Sequence, residues 1–180
     1  MTAVESLPRM SVEDYLAYEH DSEVRHELVG GYLYAMTGAS DRHEEIAANL
    51  LALLHGHLKG TGCRVYGSNL KVRVGDDFFY PDLFVRCAQE RGDPYFKTDP
   101  VLIIEVLSPG TQRYDRGDKR LAYQSLPTLQ EYVVLAQDEI RIEIQRRTAT
   151  GWETEVQVSP SAAFTLRSVN LSAALSDVYA

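Results

Sequence analysis

The sequence predicts a single α/β domain with α+β character, a mixed β-sheet flanked by helices and preceded by an N-terminal helix and β-hairpin. Three observations predict it. Strand-like and helix-like segments alternate along most of the chain. The apolar run VLIIEVLS at residues 101–108 has the length of a buried central strand and leads into a helical pattern. Two glycine-centred turns, at Gly30-Gly31 and Gly75-Asp76-Asp77, each separate a pair of strand-like runs.

The elements follow in order. Ser11 precedes acidic residues and a short amphipathic run, which predicts an N-capped helix over Ser11 to Glu19. VRHELVGGYLYAMTG predicts a hairpin turning at Gly30-Gly31, where both residues need positive φ. Ser40 or Asp41 caps a longer helix, DRHEEIAANLLALLHGHL, that ends near Gly60. RVYGSNLKVRV and FFYPDLFVRC are expected to pair as a second hairpin across Gly75-Asp76-Asp77. RGDPYFKTDP reads as a polar loop. Pro109-Gly110 stops the central strand, and YDRGDKRLAYQSL is helical up to Pro127. EYVVLA, EIRIEIQRR and WETEVQVS are three further strands, the middle one alternating Ile140, Ile142 and Ile144 with polar residues. The tail NLSAALSDVYA closes with a short helix.

The chain is 180 residues long, enough for one core that buries roughly 70 % of the unfolded surface without staples. Residues 1–180 are therefore one domain, with residues 1–10 expected to be disordered. With 18 Lys and Arg against 26 Asp and Glu the net charge is −8, which argues against a broad basic surface for nucleic acid. The acid is unevenly placed. Residues 1–60 carry 4 basic and 10 acidic side chains, whereas residues 111–147 carry 7 and 6, namely Arg113, Arg116, Lys119, Arg120, Arg141, Arg146 and Arg147 against six acids. The acidic excess thus lies mostly away from where a phosphate backbone would run. Cys63 and Cys87 are too few for a disulfide framework and too far apart for a CxxC site, so they read as small buried apolar residues in a reducing compartment. No basic-then-apolar leader and no run of about 18 apolar residues occurs, which points to the cytoplasm.

Four positions stand out chemically. Glu105 is the only charged side chain in VLIIEVL, and a buried carboxylate needs a cation or metal unless it sits at an exposed strand end. Asp82, after Pro81, falls on the neighbouring strand. Paired carboxylates with retained water suit Mg²⁺, which can activate water and stabilise a phosphoryl transition state. Lys119 shares a helix face with Asp115, Ala122, Tyr123 and Leu126, so it either points inward or makes an i,i+4 pair with Asp115. On the long helix His43 lies on the stripe of Ala47, Leu50, Leu54 and Leu58, while Glu45 points away and Glu44 lies on the flank. By pattern alone His43 is a satisfied histidine at a helix start. His55 and His57 are two apart and diverge on a helix. Trp152 reads as strand packing.

YPDLFV followed by VLIIEVLSPGTQRYDRGDKRLAYQSLPTLQEYVVL resembles the Uma-two family of restriction endonuclease domains, within the PD-(D/E)XK nuclease superfamily. RHELVGGYLYAM, ASDRHEEIAANL and SVNLSAALSDVYA match as well, so the resemblance runs from about Ser11 to the end. It implies a restriction-endonuclease-like core that uses Mg²⁺, with Mn²⁺ as a substitute, to hydrolyse phosphodiester bonds of nucleic acid, DNA first. Asp82 and Glu105 match the metal-binding acids, with the Val106 carbonyl a further ligand. The superfamily lysine two residues after the second acid is here Leu107, and the resemblance implies that Lys119 on the next helix replaces it. Glu27 and His43, in matched motifs, would complete the site. Cutting both strands of a duplex suggests a homodimer through exposed strand edges. The competing expectations are a non-catalytic nuclease-fold module that binds protein or nucleic acid, and a metal-dependent hydrolase of another phosphodiester.

Overall fold

The computed structural model describes residues 9–108 and 117–180. Ser11 caps α1 (Val12–Asp21), its hydroxyl accepting the Asp14 amide at 3.1 Å. Strands β1 (His26–Val29) and β2 (Tyr32–Ala35) form the first hairpin, with Gly30 at φ 59° and Gly31 at φ 86° as the two-residue turn demands. Ser40 rather than Asp41 caps α2 (Asp41–His57), accepting the His43 amide at 3.1 Å. Residues 1–8 lie outside the described residues. The Met10 amide donates to Gly31 O at 2.8 Å, and its side chain packs near Tyr15 and Leu28.

The expected second hairpin is divided. Its two long runs form four strands, β3 (Arg64–Gly67), β4 (Lys71–Val74), β5 (Asp77–Phe79) and β6 (Leu83–Arg86). β4 pairs with β5 across the turn, as expected, but β3 and β6 pair in a different sheet. The two ladders are also out of step. Arg64 opposes Arg86, whereas Val72 opposes Phe79, so the β3–β4 side holds one extra residue between the ladders. Pro81 has no amide to donate to a ladder, which favours the break on the other side.

The segment read as a loop contains a two-residue strand, β7 (Phe96–Lys97), parallel to β4. β8 (Leu102–Leu107) is buried at every position. Beyond it, Pro109-Gly110 and Asp115 lie outside the described residues, and α3 (Asp118–Gln124) follows. β9 (Glu131–Ala136), β10 (Ile142–Thr148) and β11 (Gly151–Gln157) complete the large sheet. The tail holds more than a helix. A hairpin of β12 (Ala163–Leu166) and β13 (Leu171–Ala174), turned at Asn170 with φ 55°, precedes α4 (Leu175–Val178).

Two main sheets result. One has the order β11-β10-β9-β8-β6-β3, with β8 and β9 parallel and the other pairs antiparallel; the other has the order β2-β1-β5-β4-β7. Strand parity divides the core. Leu102, Ile104 and Val106 of β8 face α2 and α4 with Leu50, Leu54 and Val178, whereas Ile103 and Leu107 face α3 with Tyr123 and Leu126. Glu105 has the parity of the second set. α1 packs on the other sheet through Tyr15, Leu28 and Phe78. No described helix is long and apolar enough to cross a membrane.

The cysteines correct the sequence reading. Cys63 and Cys87 form a disulfide with Cα atoms 4.0 Å apart, and Cys87 is exposed. The reason is register: each cysteine lies one residue beyond the opposed pair Arg64 and Arg86, so antiparallel pairing brings them face to face. Separation in sequence carried no information about this, and the inference of a reducing compartment loses its basis.

Candidate active site

The crossover between the sheets builds the site. Asp82 sits in the link from β5 to β6, beside the middle of β8, and the two acids are joined through backbone amides. The Asp82 amide donates to Glu105 Oε2 at 3.2 Å, and Asp82 Oδ2 accepts the Val106 amide at 2.7 Å. Glu105 is 3 % exposed, which rules out the exposed strand end allowed by sequence.

Its compensation comes from α3. Lys119 Nζ lies 3.1 Å from Glu105 Oε1 and 3.0 Å from Glu27 Oε1. The lysine is 6 % exposed, so the inward reading of its helix face holds. One turn later, Tyr123 donates its hydroxyl to Glu105 Oε1 at 3.1 Å. Burial, then the charges of Glu105 and Glu27, push its phenol well above the ordinary tyrosine range, so it stays a donor. Glu27 comes from β1 and accepts the Tyr80 amide through Oε1 at 2.9 Å. The chain before Asp82 is thereby fixed to the second sheet.

His43 reaches the same place from the first turn of α2. Its Nε2 is 3.0 Å from Asp82 Oδ1. The pattern of the α2 stripe gave its inward direction correctly; only the fold supplies its carboxylate partner.

All five sequence-selected side chains therefore join in one chain of contacts, His43 to Asp82 to Glu105 to Lys119 to Glu27. A cavity of about 220 Å³ opens onto His43, Asp82, Glu105, Val106 and Lys119. Leu107, at the superfamily lysine position, is 3 % exposed and packs in the apolar cluster of Tyr123 and Phe79.

Sequence reasoning missed three contributors. Tyr123 was placed on the inward face without a role, although its i,i+4 spacing from Lys119 was a usable signal. Tyr80 lines the cavity through a strand whose break was not foreseen. Arg25 also lines it, anchored by Nη1 to Ser68 O at 2.6 Å and Asn69 Oδ1 at 2.9 Å. The basic segment is differently disposed from its expected role. Arg141 pairs with Glu143, Arg146 with Glu131, and Arg147 donates to Leu129 O while covering Trp152 at 4.6 Å. Arg113 and Arg116 lie outside the described residues.

No group of three or more His, Cys, Asp or Glu poised on one ion occurs among the described residues. The donor chemistry nevertheless fits magnesium. Three carboxylates, of Glu27, Asp82 and Glu105, meet one ammonium, leaving two negative charges when the imidazole is uncharged. Mg²⁺ takes one or two carboxylates and keeps several waters, and the cavity has room for them. Asp82 and Glu105 are the residues that would hold it.

The chain is similar to several known proteins. A family model, Uma2, described as "Putative restriction endonuclease", matches residues 12–176. An uncharacterized protein of Synechocystis sp. (strain ATCC 27184 / PCC 6803 / Kazusa) is 34 % identical over 175 residues, 96 % of this chain and 92 % of its own. A second uncharacterized protein of that organism is 27 % identical over 148 residues, 79 % of this chain and 84 % of its own. A crystal structure titled as a putative nuclease belonging to DUF820, from Anabaena variabilis ATCC 29413, superimposes with a TM-score of 0.78 at 20 % identity. It covers 94 % of this chain and 97 % of that one, and shows the shared fold.

Proposed function

Since the chain belongs to the Uma2 family, described as "Putative restriction endonuclease", we propose that it is a Mg²⁺-dependent endonuclease hydrolysing phosphodiester bonds of DNA. The single observation that carries this reading is the convergence of Asp82, Glu105 and Lys119 on one cavity, with Lys119 Nζ 3.1 Å from Glu105.

When bound by Asp82 and Glu105, the ion supplies Lewis acidity at the scissile phosphate and favours deprotonation of water. The chain's own groups do the rest. Lys119, held between two carboxylates, orients the attacking water and offsets negative charge growing on the phosphoryl oxygens. His43, hydrogen-bonded to Asp82, is placed to relay a proton. Glu27 fixes Lys119 and so acts through it. Water adds to phosphorus, the bond to the departing sugar oxygen breaks, and the proton lost by water ends on that oxygen. A homodimer would let two such sites address both strands.

One observation favours a second reading, a nuclease-fold module that binds without cutting. All four oxygens of Asp82 and Glu105 are hydrogen-bonded to protein groups, so the site is electrostatically supported without metal. Calorimetry separates the two: no heat at millimolar Mg²⁺ or Mn²⁺ favours the module. The direct experiment is cleavage of supercoiled, linear and single-stranded DNA and of RNA, with and without Mg²⁺ or Mn²⁺, beside a Glu105→Ala control. Metal-dependent products with the parent chain and none with the control support the endonuclease. Equal products from both would sink it.

A further inference from the structure

The chain carries a net charge of −8, yet a groove of about 490 Å³ is lined by His55, Lys59, Arg64 and Tyr66 without an acidic residue. It lies between the C-terminal end of α2 and the start of β3. Lys59 and Arg64 are exposed and engage no carboxylate among the described residues, whereas Arg42, Arg73, Arg86, Arg141 and Arg146 each pair with at least one. Cations after a helix end also answer its dipole, which accounts for Lys59 two residues beyond His57. It does not account for Arg64, which approaches from β3.

Strand β3 leads from the groove, which Arg64, Val65 and Tyr66 line, toward the candidate active site, which Ser68 lines. Among the described residues β3 is the edge of its sheet and pairs with β6 alone, so its outer amides face away from any described strand. Arg64 and Val65 open the strand at the groove, and Ser68, just past its end, lines the cavity and accepts Arg25. Four residues of extended chain span about 13 Å, the axial rise of about four nucleotides in a duplex strand.

We infer that the groove of His55, Lys59 and Arg64 takes the phosphate backbone of the nucleic-acid substrate about four nucleotides from the bond being cut. The inference rests on the endonuclease reading. Backbone amides and unpaired cations along one edge are the groups that hold phosphate without reading sequence. This also answers the charge objection, because a local acid-free track can bind where the whole surface repels.

The test is steady-state cleavage of duplexes with two or with eight nucleotides flanking the cut site on each side, across a salt series. The proteins are the parent chain, Lys59→Gln/Arg64→Gln, and the charge-keeping Lys59→Arg/Arg64→Lys. The expected result is a raised KM with unchanged kcat for the Gln pair on long duplexes only, with the salt slope of log(kcat/KM) shallower by about 1.8. The charge-keeping pair should match the parent, which a purely structural role would not predict. The inference alone is overturned if the parent cuts and the Gln pair matches it on long duplexes. It is equally overturned if the parent forms dimers that the Gln pair dissolves without change in KM, since the groove then holds a second copy. If the parent cuts no nucleic acid with either metal, the endonuclease reading falls first and this inference with it. Melting curves identify a misfolded pair, in which case the single exposed variants Lys59→Gln and Arg64→Gln, each expected to change the slope by about 0.9, decide.

Discussion

Asp82 and Glu105 clasp one another at the end of the β6–β8 ladder: the Asp82 amide donates to Glu105 Oε2, and Asp82 Oδ2 accepts the amide of Val106, the residue after Glu105. Each acid is held by the backbone of the other's strand as well as by its side-chain partners.

Replacing either acid by its amide therefore tests charge apart from shape. Asp82→Asn and Glu105→Gln keep an acceptor for the same amides, and each should bind Mg²⁺ at least tenfold more weakly with a melting temperature close to the parent's. Calorimetry and melting curves check this. Unchanged Mg²⁺ affinity in both variants would remove these residues from the metal site.

Lys119→Met should be strongly destabilising. It leaves Glu27 and Glu105 buried at 6 % and 3 % exposure without their shared cation, a loss of about 3–5 kcal/mol. Adding Glu27→Gln should recover part of it. Urea unfolding of the single and double variants reads the coupling, and purely additive effects would show that the bridge contributes little.

His43→Ala should cut the metal-dependent rate by about 10–100-fold, the range for partners that orient a ligating carboxylate. His43→Gln, which keeps a donor toward Asp82, should lie between. Initial rates at saturating Mg²⁺ measure the series. A parent-like rate for the alanine variant would leave His43 the packing role that its pattern suggested.

The C-terminus carries a pH dependence with a definite sign. The Tyr179 hydroxyl reaches Ala136 O at 2.8 Å and Arg141 O at 2.7 Å, and burial pushes its pKa up to about 12. Folding thus favours the neutral phenol. The resulting stability is present below the unfolded value near 10 and is lost as pH rises from about 10 through about 12, to a total of about 3 kcal/mol. Tyr179→Phe should be less stable than the parent at pH 8, and the gap should close by pH 12. Urea midpoints across that range give the comparison.

Reducing the Cys63–Cys87 disulfide, which closes a separation of 24 residues, should lower stability by about 2–4 kcal/mol. Thiol titration of the unfolded chain should find no free thiol before reduction and two after. Two free thiols in the unreduced protein would contradict the pairing.

The sequence by itself determined the elements whose signals are local. Gly30-Gly31 marks its turn, Ser11 and Ser40 mark helix starts, and the unbroken apolar run of β8 marks the centre of the sheet. It also determined direction: periodicity along α2 and α3 aims His43 and Lys119 inward, and the parity of β8 aims Glu105 toward α3. These features rest on backbone propensity and on 3.6- and 2-residue periods, which a short window contains. Only the tertiary structure decided which partners those side chains meet. That Lys119 meets Glu105 and Glu27, that Tyr123 joins Glu105, and that Cys63 faces Cys87 are matters of register and crossover between distant segments. The sequence split β3 from β4 and β5 from β6 with no stronger mark than Pro81 and one unmatched residue. Burial then selects among the possible pairings, because an ammonium and two carboxylates withdrawn from water persist only where the fold brings them together.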